Sequence, residues 1–268
     1  MMHPMLPVAI NAAREASKTI LRALTQVDKI EVASKNSNEF VTQVDRISEE
    51  IIIDHIQKAY PDHGILAEES GRISNPKNNH EYYWVIDPLD GTRNFMQGYP
   101  QFSITIALMR NNITELGLVF DPFRNDLFTS ARGQGAYLND QRIHVSHAEK
   151  MDTALIGTGF PLEKSGNNIN NYLNEFKNVF THCTDVRRDG SSSLDLAYVA
   201  CGRLDGFWES NLKIWHMAAS ALMIQEAGGI VSDFNDGDHY LQTGDIVAGN
   251  PKMHKALRHL INDFRCGN

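Results

Sequence analysis

The run Trp84-Val85-Ile86-Asp87-Pro88-Leu89-Asp90-Gly91-Thr92 constrains this chain more than any other stretch. An apolar segment of strand character runs directly into two aspartates three positions apart, and a glycine and a threonine close the turn. Such a segment must lie inside a sheet and deliver its carboxylates at the strand's carboxyl end, the edge where open α/β sheets hold their ligands. Pro88 keeps Asp87 out of helical geometry. Gly91 lets the backbone approach an anion closely, and a short helix starting near Thr92 would aim its N–H groups at a phosphate. Hard divalent cations need several converging carboxylate oxygens. Both requirements, metal and phosphate, are met within six residues. The same residues are also common in plain turns, so the rest of the chain has to support the reading.

The order of helical and strand patterns suggests a layered molecule. Apolar side chains from Leu6 to Leu24 form a helical stripe. A second helix is expected from Thr42, placed as its N-cap, to Tyr60, with Pro61 as the stop. Residues Gly71 to Glu81 read as a polar surface loop. Strands follow at Tyr82–Ile86, Phe102–Met109, Ile113–Phe120, Asp126–Ser130 and Gly135–Leu138, with turns at Asn111-Asn112 and Arg132-Gly133-Gln134. In the second half, strands are expected near Ala154–Gly157, Gly206–Glu209, Ile230–Ser232 and Asp245–Ala248. Helices are expected near Asn168–Phe180, Ser191–Cys201, Ile214–Ala227 and Pro251–Phe264. This mixture means α/β or α+β with mixed sheets. The chain reads as a single domain over 1–268, with any division into two sub-halves near residue 150.

Composition removes several function classes. With 33 acidic and 25 basic residues the formal charge is −8, which argues against a broad grip on nucleic acid or an anionic membrane. No apolar run of 18 residues is present, and the amino terminus lacks the pattern of a signal peptide, so no membrane contact is expected. Three cysteines, Cys183, Cys201 and Cys266, show no C-x-x-C spacing and suit a reducing, cytoplasmic setting. There is no Walker loop and no H-E-x-x-H spacing, and Gly133-Gln134-Gly135 lies between strand signals rather than before a helix.

A second acidic pair, Glu68-Glu69, follows Ile65-Leu66, and Asp45 lies on the second helix. Alone, each reads as a solvated charge. Taken in order, however, Ala67-Glu68-Glu69-Ser70, the Asp87–Thr92 turn, Trp215-His216-Met217-Ala218-Ala219 and Glu226-Ala227-Gly228-Gly229 resemble the inositol monophosphatase family. The likeness extends to residues 38–45, to Arg132–Ala136, and, through Arg187-Arg188-Asp189-Gly190-Ser191 and Leu194–Ala200, to the bacterial SuhB-like branch.

That resemblance implies a layered α-β-α-β-α sandwich of the inositol monophosphatase/fructose bisphosphatase type, usually a homodimer. It implies Mg²⁺-dependent hydrolysis of inositol monophosphate or a similar small polyol phosphate. Glu68, Asp87 and the Leu89 carbonyl would hold a first Mg²⁺. Asp87, Asp90 and residue 216 would hold a second. Thr92, Asp45 and Glu68 would orient the attacking water, and the Gly91 and Thr92 N–H groups would bind phosphate. Glu209 and the Gly190, Ser191, Ser192 turn would face the substrate's hydroxyls. The SuhB-like branch also implies contact with RNA polymerase and Nus factors in antitermination, in which the Arg187-Arg188 pair is either a contact surface or simply a solvated one.

Four positions depart from the family pattern. His216 replaces an aspartate, Arg93 a common threonine, and Asn36 and Ser220 usual glycines. Imidazole suits Mn²⁺ and later transition ions better than Mg²⁺. The expectation is therefore weakened Mg²⁺ activity, a shift toward Mn²⁺ or another transition ion, or a fold retained for protein contacts with little catalysis.

Overall fold

In the computed structural model, residues 3–27, 36–73, 81–160 and 167–263 are described. Two helices come first, α1 (Leu6–Val27) and α2 (Asn36–Ala59). An eight-stranded sheet follows: β1 (Gly64–Ala67), β2 (Gly71–Ile73), β3 (Tyr82–Asp90), β4 (Ser103–Arg110), β5 (Ile113–Asp121), β6 (Asp126–Ala131), β7 (Gly135–Leu138) and β8 (Gln141–Ile143), with the short helix α3 (Thr92–Met96) between β3 and β4. The sheet order is β2-β1-β3-β4-β5-β6-β7-β8. Among the described residues of this sheet, only the β1–β3 pair is parallel.

The remainder builds a five-stranded sheet from β9 (Leu155–Thr158), β10 (Asp185–Arg187), β11 (Gly206–Glu209), β12 (Ile230–Ser232) and β13 (Ile246–Gly249), ordered β10-β9-β11-β13-β12. Its helices are α4 (Asn167–His182), α5 (Ser192–Ala200), α6 (Ile214–Glu226), α7 (Tyr240–Thr243) and α8 (Pro251–Asn262).

Strand alternation explains the layering. Along β3, Trp84 and Ile86 point to one face and join α1 and α2 in a core with Ile104, Ile106, Leu116 and Leu118. Val85, Ala107, Met109 and Val119 point to the other face, where α5 and α6 fill the space between the two sheets. The smaller sheet turns Ile156, Trp208 and Val247 outward onto α4 and α8. The layers therefore run helix, sheet, helix, sheet, helix, as expected. Asp87 shares the face of Val85, so the same alternation aims it at α6.

The structure corrects two local expectations. The second helix begins at Asn36, so Thr42 lies inside it and is not its N-cap. A stretch of polar residues can continue a helix when one face still meets a core, as Val44, Ile52 and Ile56 do. Gly71–Ile73, expected in a loop, pairs antiparallel with β1 as an edge strand; residues 74–80 of that loop lie outside the described residues, as do Cys266 and the side chain of Asn36. Among the described residues no helix is long and apolar enough to cross a membrane.

Candidate metal centre and phosphate pocket

Three acidic residues meet because of how β1 and β3 are paired. The strands run parallel, with Ala67 beside Ile86, and the Glu68 N–H donates to the Ile86 carbonyl at 3.2 Å. Glu68 thus leaves its strand next to Asp87. The register of β3 against β4 shifts between Asp87 and Asp90, an irregularity of the kind that re-aims side chains near sites. It brings Asp90 back beside the first carboxylate. Asp87 Oδ1 accepts the Leu89 N–H at 2.9 Å, a tight turn that points Oδ2 toward α6.

The first turn of α6 supplies the fourth residue. Thr105, the cross-strand partner of Asp87, donates from Oγ1 to the Trp215 carbonyl at 2.7 Å and pins the helix start over the sheet. His216 Nδ1 then lies 2.8 Å from Asp87 Oδ2 and 3.6 Å from Asp90 Oδ1. Ligand atoms of Glu68, Asp87 and His216 all fall within 4.8 Å of one another. Two donors on adjacent corners of an octahedral ion, each about 2.1 Å from it, are about 3 Å apart, so these residues fit a divalent cation.

The electrostatics point the same way. Asp87 is fully buried, and burial, reinforced by Asp90, pushes its carboxyl well above the usual range. Burial and then Asp87 push Glu68 up to about 9. Burial, with Glu69, Glu68 and Glu49 adding repulsion, pushes Asp45 up to about 8. Asp45 is itself buried, and its Oδ1 has no hydrogen-bond partner among the described residues. A group of buried acids that repel one another stays charged only beside a strong positive charge.

Neighbouring groups hold the cluster in place. Asp90 Oδ2 accepts from Ser191 Oγ at 2.7 Å, from the Ser193 N–H at 2.8 Å and from the Ser193 hydroxyl. Glu49 accepts the Glu69 and Ser70 N–H groups, both at 2.9 Å, and so ties the segment after Glu68 to α2. Ser220, at one of the departed glycine positions, donates to the Ser193 carbonyl at 2.8 Å, which joins α6 to α5.

The Gly91–Thr92 turn follows without a break. Gly91 takes φ +94°, and a Cβ there would lie 2.8 Å from the Gln101 carbonyl oxygen, so only glycine fits. Its carbonyl accepts the Asn94 and Phe95 N–H groups, which starts α3. Thr92 Oγ1 donates to the Leu89 carbonyl at 2.9 Å.

These residues open into a cavity of about 240 Å³ that Glu68, Asp90, Gly91, Thr92, Glu209 and His216 help to line. Gly190 and Ser192 line it too, and Ser192 Oγ donates to Glu209 Oε2 at 2.6 Å. Burial raises the Glu209 carboxyl to about 7. Ser191 is different: it is buried, with its hydroxyl turned inward to Asp90. Sequence reasoning missed the supporting groups Glu49, Thr105 and Ser193, as well as Asp195, Arg188 and Lys213 on the cavity wall. Glu49, Thr105, Ser193 and Lys213 sit in no local pattern that distinguishes them from surface or core residues, and Arg188 and Asp195, although inside stretches that carry the family resemblance, gave no signal of a place on the cavity wall.

Known proteins resemble the chain along nearly its whole length. The model of the inositol monophosphatase family matches residues 1–265. Nus factor SuhB of Salmonella typhimurium is 49% identical over 256 residues, covering 96% of this chain and 95% of that protein. The crystal structure of extragenic suppressor protein suhB from Bartonella henselae superposes with a TM-score of 0.88 at 37% identity, covering 97% of this chain and 98% of that one. An inositol monophosphatase structure from Anabaena gives a TM-score of 0.85 at 36% identity, covering 97% and 95%. With five matching layers, a carboxylate cluster at the expected turn and likeness along nearly its whole length, the chain belongs to the inositol monophosphatase family.

Proposed function

We propose that the chain is a metal-dependent phosphomonoesterase acting on inositol monophosphate or a similar small polyol phosphate. The observation that carries this reading is the convergence of Glu68, Asp87, Asp90 and His216 beside the Gly91–Thr92 turn. A divalent ion held there would activate a water and offset the charge of the phosphate. Glu68, Asp87 and the Leu89 carbonyl would hold one such ion, and Asp87, Asp90 and His216 a second.

The remaining chemistry belongs to the chain's own groups. Thr92 and Asp45, together with Glu68, would orient the attacking water. The N–H groups of Gly91 and Thr92 lie at the start of α3, where a helix has no internal acceptors for them, and bind phosphate oxygens. Glu209 is held by Ser192 and reads a substrate hydroxyl; Gly190 and Ser192 shape the wall beside it. Ser191 acts through Asp90, whose carboxylate it holds in place. No covalent intermediate on Ser, Cys or His is needed, because position and charge carry the reaction. Asp90→Asn removes a ligand and is expected to lower turnover of inositol 1-phosphate by at least about a hundredfold. Normal turnover by the folded variant would refute the assignment.

A second reading concerns partners. Relatives 48–49% identical carry the name Nus factor SuhB, and His216 departs from the family's aspartate. Both favour a role with RNA polymerase and Nus factors, alongside or in place of strong catalysis, and the family favours a homodimer. A pull-down with purified polymerase and Nus factors tests the first point, and sedimentation tests the second. No retention with any combination of these proteins would set the transcription role aside.

A further inference from the structure

Of the four side chains proposed to hold metal, Glu68 has the least regular structure around it. Asp87 lies inside β3, Asp90 accepts bonds from Ser191 and Ser193, and His216 sits in the first turn of α6. Glu68 occupies the turn between β1, which ends at Ala67, and β2, which starts at Gly71. That strand is an edge and has β1 as its neighbour in the sheet. Glu69 and Ser70 are exposed, and a Cβ on Gly71 would meet nothing within 4 Å. The outer side of the turn is therefore open.

Glu49 grips the turn from its inner side. It is buried and lies four residues after Asp45, so the two acids share one face of α2. Val44, Ile52 and Ile56 fix that helix in the core. Each Glu49 oxygen accepts a different N–H group, Oε2 that of Glu69 and Oε1 that of Ser70, both at 2.9 Å. A carboxylate engaged through both oxygens fixes orientation as well as distance. With the Glu68 N–H bound to the Ile86 carbonyl, three successive N–H groups of the turn are committed.

We propose that Glu49 is a positioning residue, which locks the Glu68 turn onto α2 and so aims Glu68 at the first ion in register with Asp45. One rigid helix then sets two of the groups assigned to the attacking water. Glu49 does not line the cavity, so it has no part in holding substrate, and the ion shared by Asp87, Asp90 and His216 does not depend on it. This inference rests on the metal-dependent reading.

The test is Glu49→Gln, which keeps the shape but turns one acceptor into a donor facing an N–H. Mn²⁺ binding to the full chain is followed by calorimetry without substrate, and phosphate release from inositol 1-phosphate is followed at graded Mn²⁺. One binding event is expected to weaken by about tenfold or more, the usual loss when a group that orients a metal ligand is removed. Release should need correspondingly more Mn²⁺, while KM for the ester stays within about twofold. A control, Asn178→Ala, breaks the bond from Asn178 to the Leu260 carbonyl between α4 and α8; it should lower the melting temperature and leave Mn²⁺ affinity unchanged. Hydrogen exchange on the wild type in EDTA needs no variant: the Glu69 and Ser70 N–H groups should exchange slowly although both residues are exposed. Unchanged Mn²⁺ affinity in folded Glu49→Gln, an equal loss in Asn178→Ala, or fast exchange at both N–H groups overturns the proposal. A wild type that binds no Mn²⁺ removes the metal-dependent reading itself and this proposal with it, a result distinct from the other three.

Discussion

His216 is the residue on which the chemistry of this chain turns. Its Nδ1 lies 2.8 Å from Asp87 Oδ2, a position that offers a nitrogen donor where the family's usual residue is aspartate. Mg²⁺ holds oxygen ligands in strict octahedral geometry and sheds water reluctantly, whereas Mn²⁺ and later ions accept imidazole. The wild type should therefore work better with Mn²⁺ than with Mg²⁺. His216→Asp should reverse that order and raise the apparent Mg²⁺ affinity by about tenfold or more, one lost or gained ligand charge in a half-buried site. Phosphate release at graded Mg²⁺ and Mn²⁺ separates the two cases. A wild type that already performs best with Mg²⁺ would show that His216 does not set the preference.

At the scale of elements, the contact of β5 with α6 decides whether His216 reaches the carboxylates. A Cβ on Gly117 would lie 2.5 Å from the Ala219 carbonyl oxygen and 2.9 Å from its Cα, so strand and helix touch backbone to backbone. Gly117→Ala should destabilise the fold by about 1–3 kcal/mol, the usual range for overpacking. It should also weaken metal binding, because α6 carries His216. Urea melts and a metal titration of the folded variant check both effects. Lost stability with unchanged metal affinity would mean that α6 moves without its first turn.

Much of this element structure was legible in the sequence. The strands β3 to β7 and helices α4 to α6 fall where alternation and periodicity put them, because each buries one clear face. The short edge strands β2, β8 and β10 were not legible. Each has three residues of which most are glycine or polar, so no apolar alternation marks them, although β2 and β8 pair with the strands just before them in the chain; the equally short β12 was legible because it carries Ile230 and Val231. The acidic cluster was legible at its centre, since Asp87, Asp90 and Gly91 form one local motif. Its supports were not: Glu49, Thr105 and Ser193 act only through contacts that the fold creates, and Asp45 and Ser191 turned out more buried than isolated polar residues usually are.

For the molecule as a whole, the buried acids make stability depend on pH and on metal. The carboxyls of Glu68 and Asp45 stand near 9 and 8 in the fold and near 4 in an unfolded chain. Between those values the folded state keeps protons that the unfolded state has released. Their contribution to metal-free stability is therefore fully present below about pH 4 and is lost as pH rises toward 9. A bound dication needs the same groups charged, so its stabilisation grows over that range, and binding releases protons. Melting curves in EDTA from pH 5 to 9 should show a decline that Asp45→Asn makes shallower. Added Mn²⁺ should raise the melting temperature more at pH 8 than at pH 5. A shift of equal size at both values would contradict the assignment of these acids to an ion.

The central claim is that the fold gathers these side chains to hydrolyse a phosphate ester through a divalent ion. The most direct measurement is phosphate release from inositol 1-phosphate by EDTA-treated protein as Mn²⁺ or Mg²⁺ is restored. The expected result is no release in EDTA and a saturable recovery, steeper with Mn²⁺, that Asp87→Asn abolishes. Release at full rate in EDTA, or none with any ion, would contradict it.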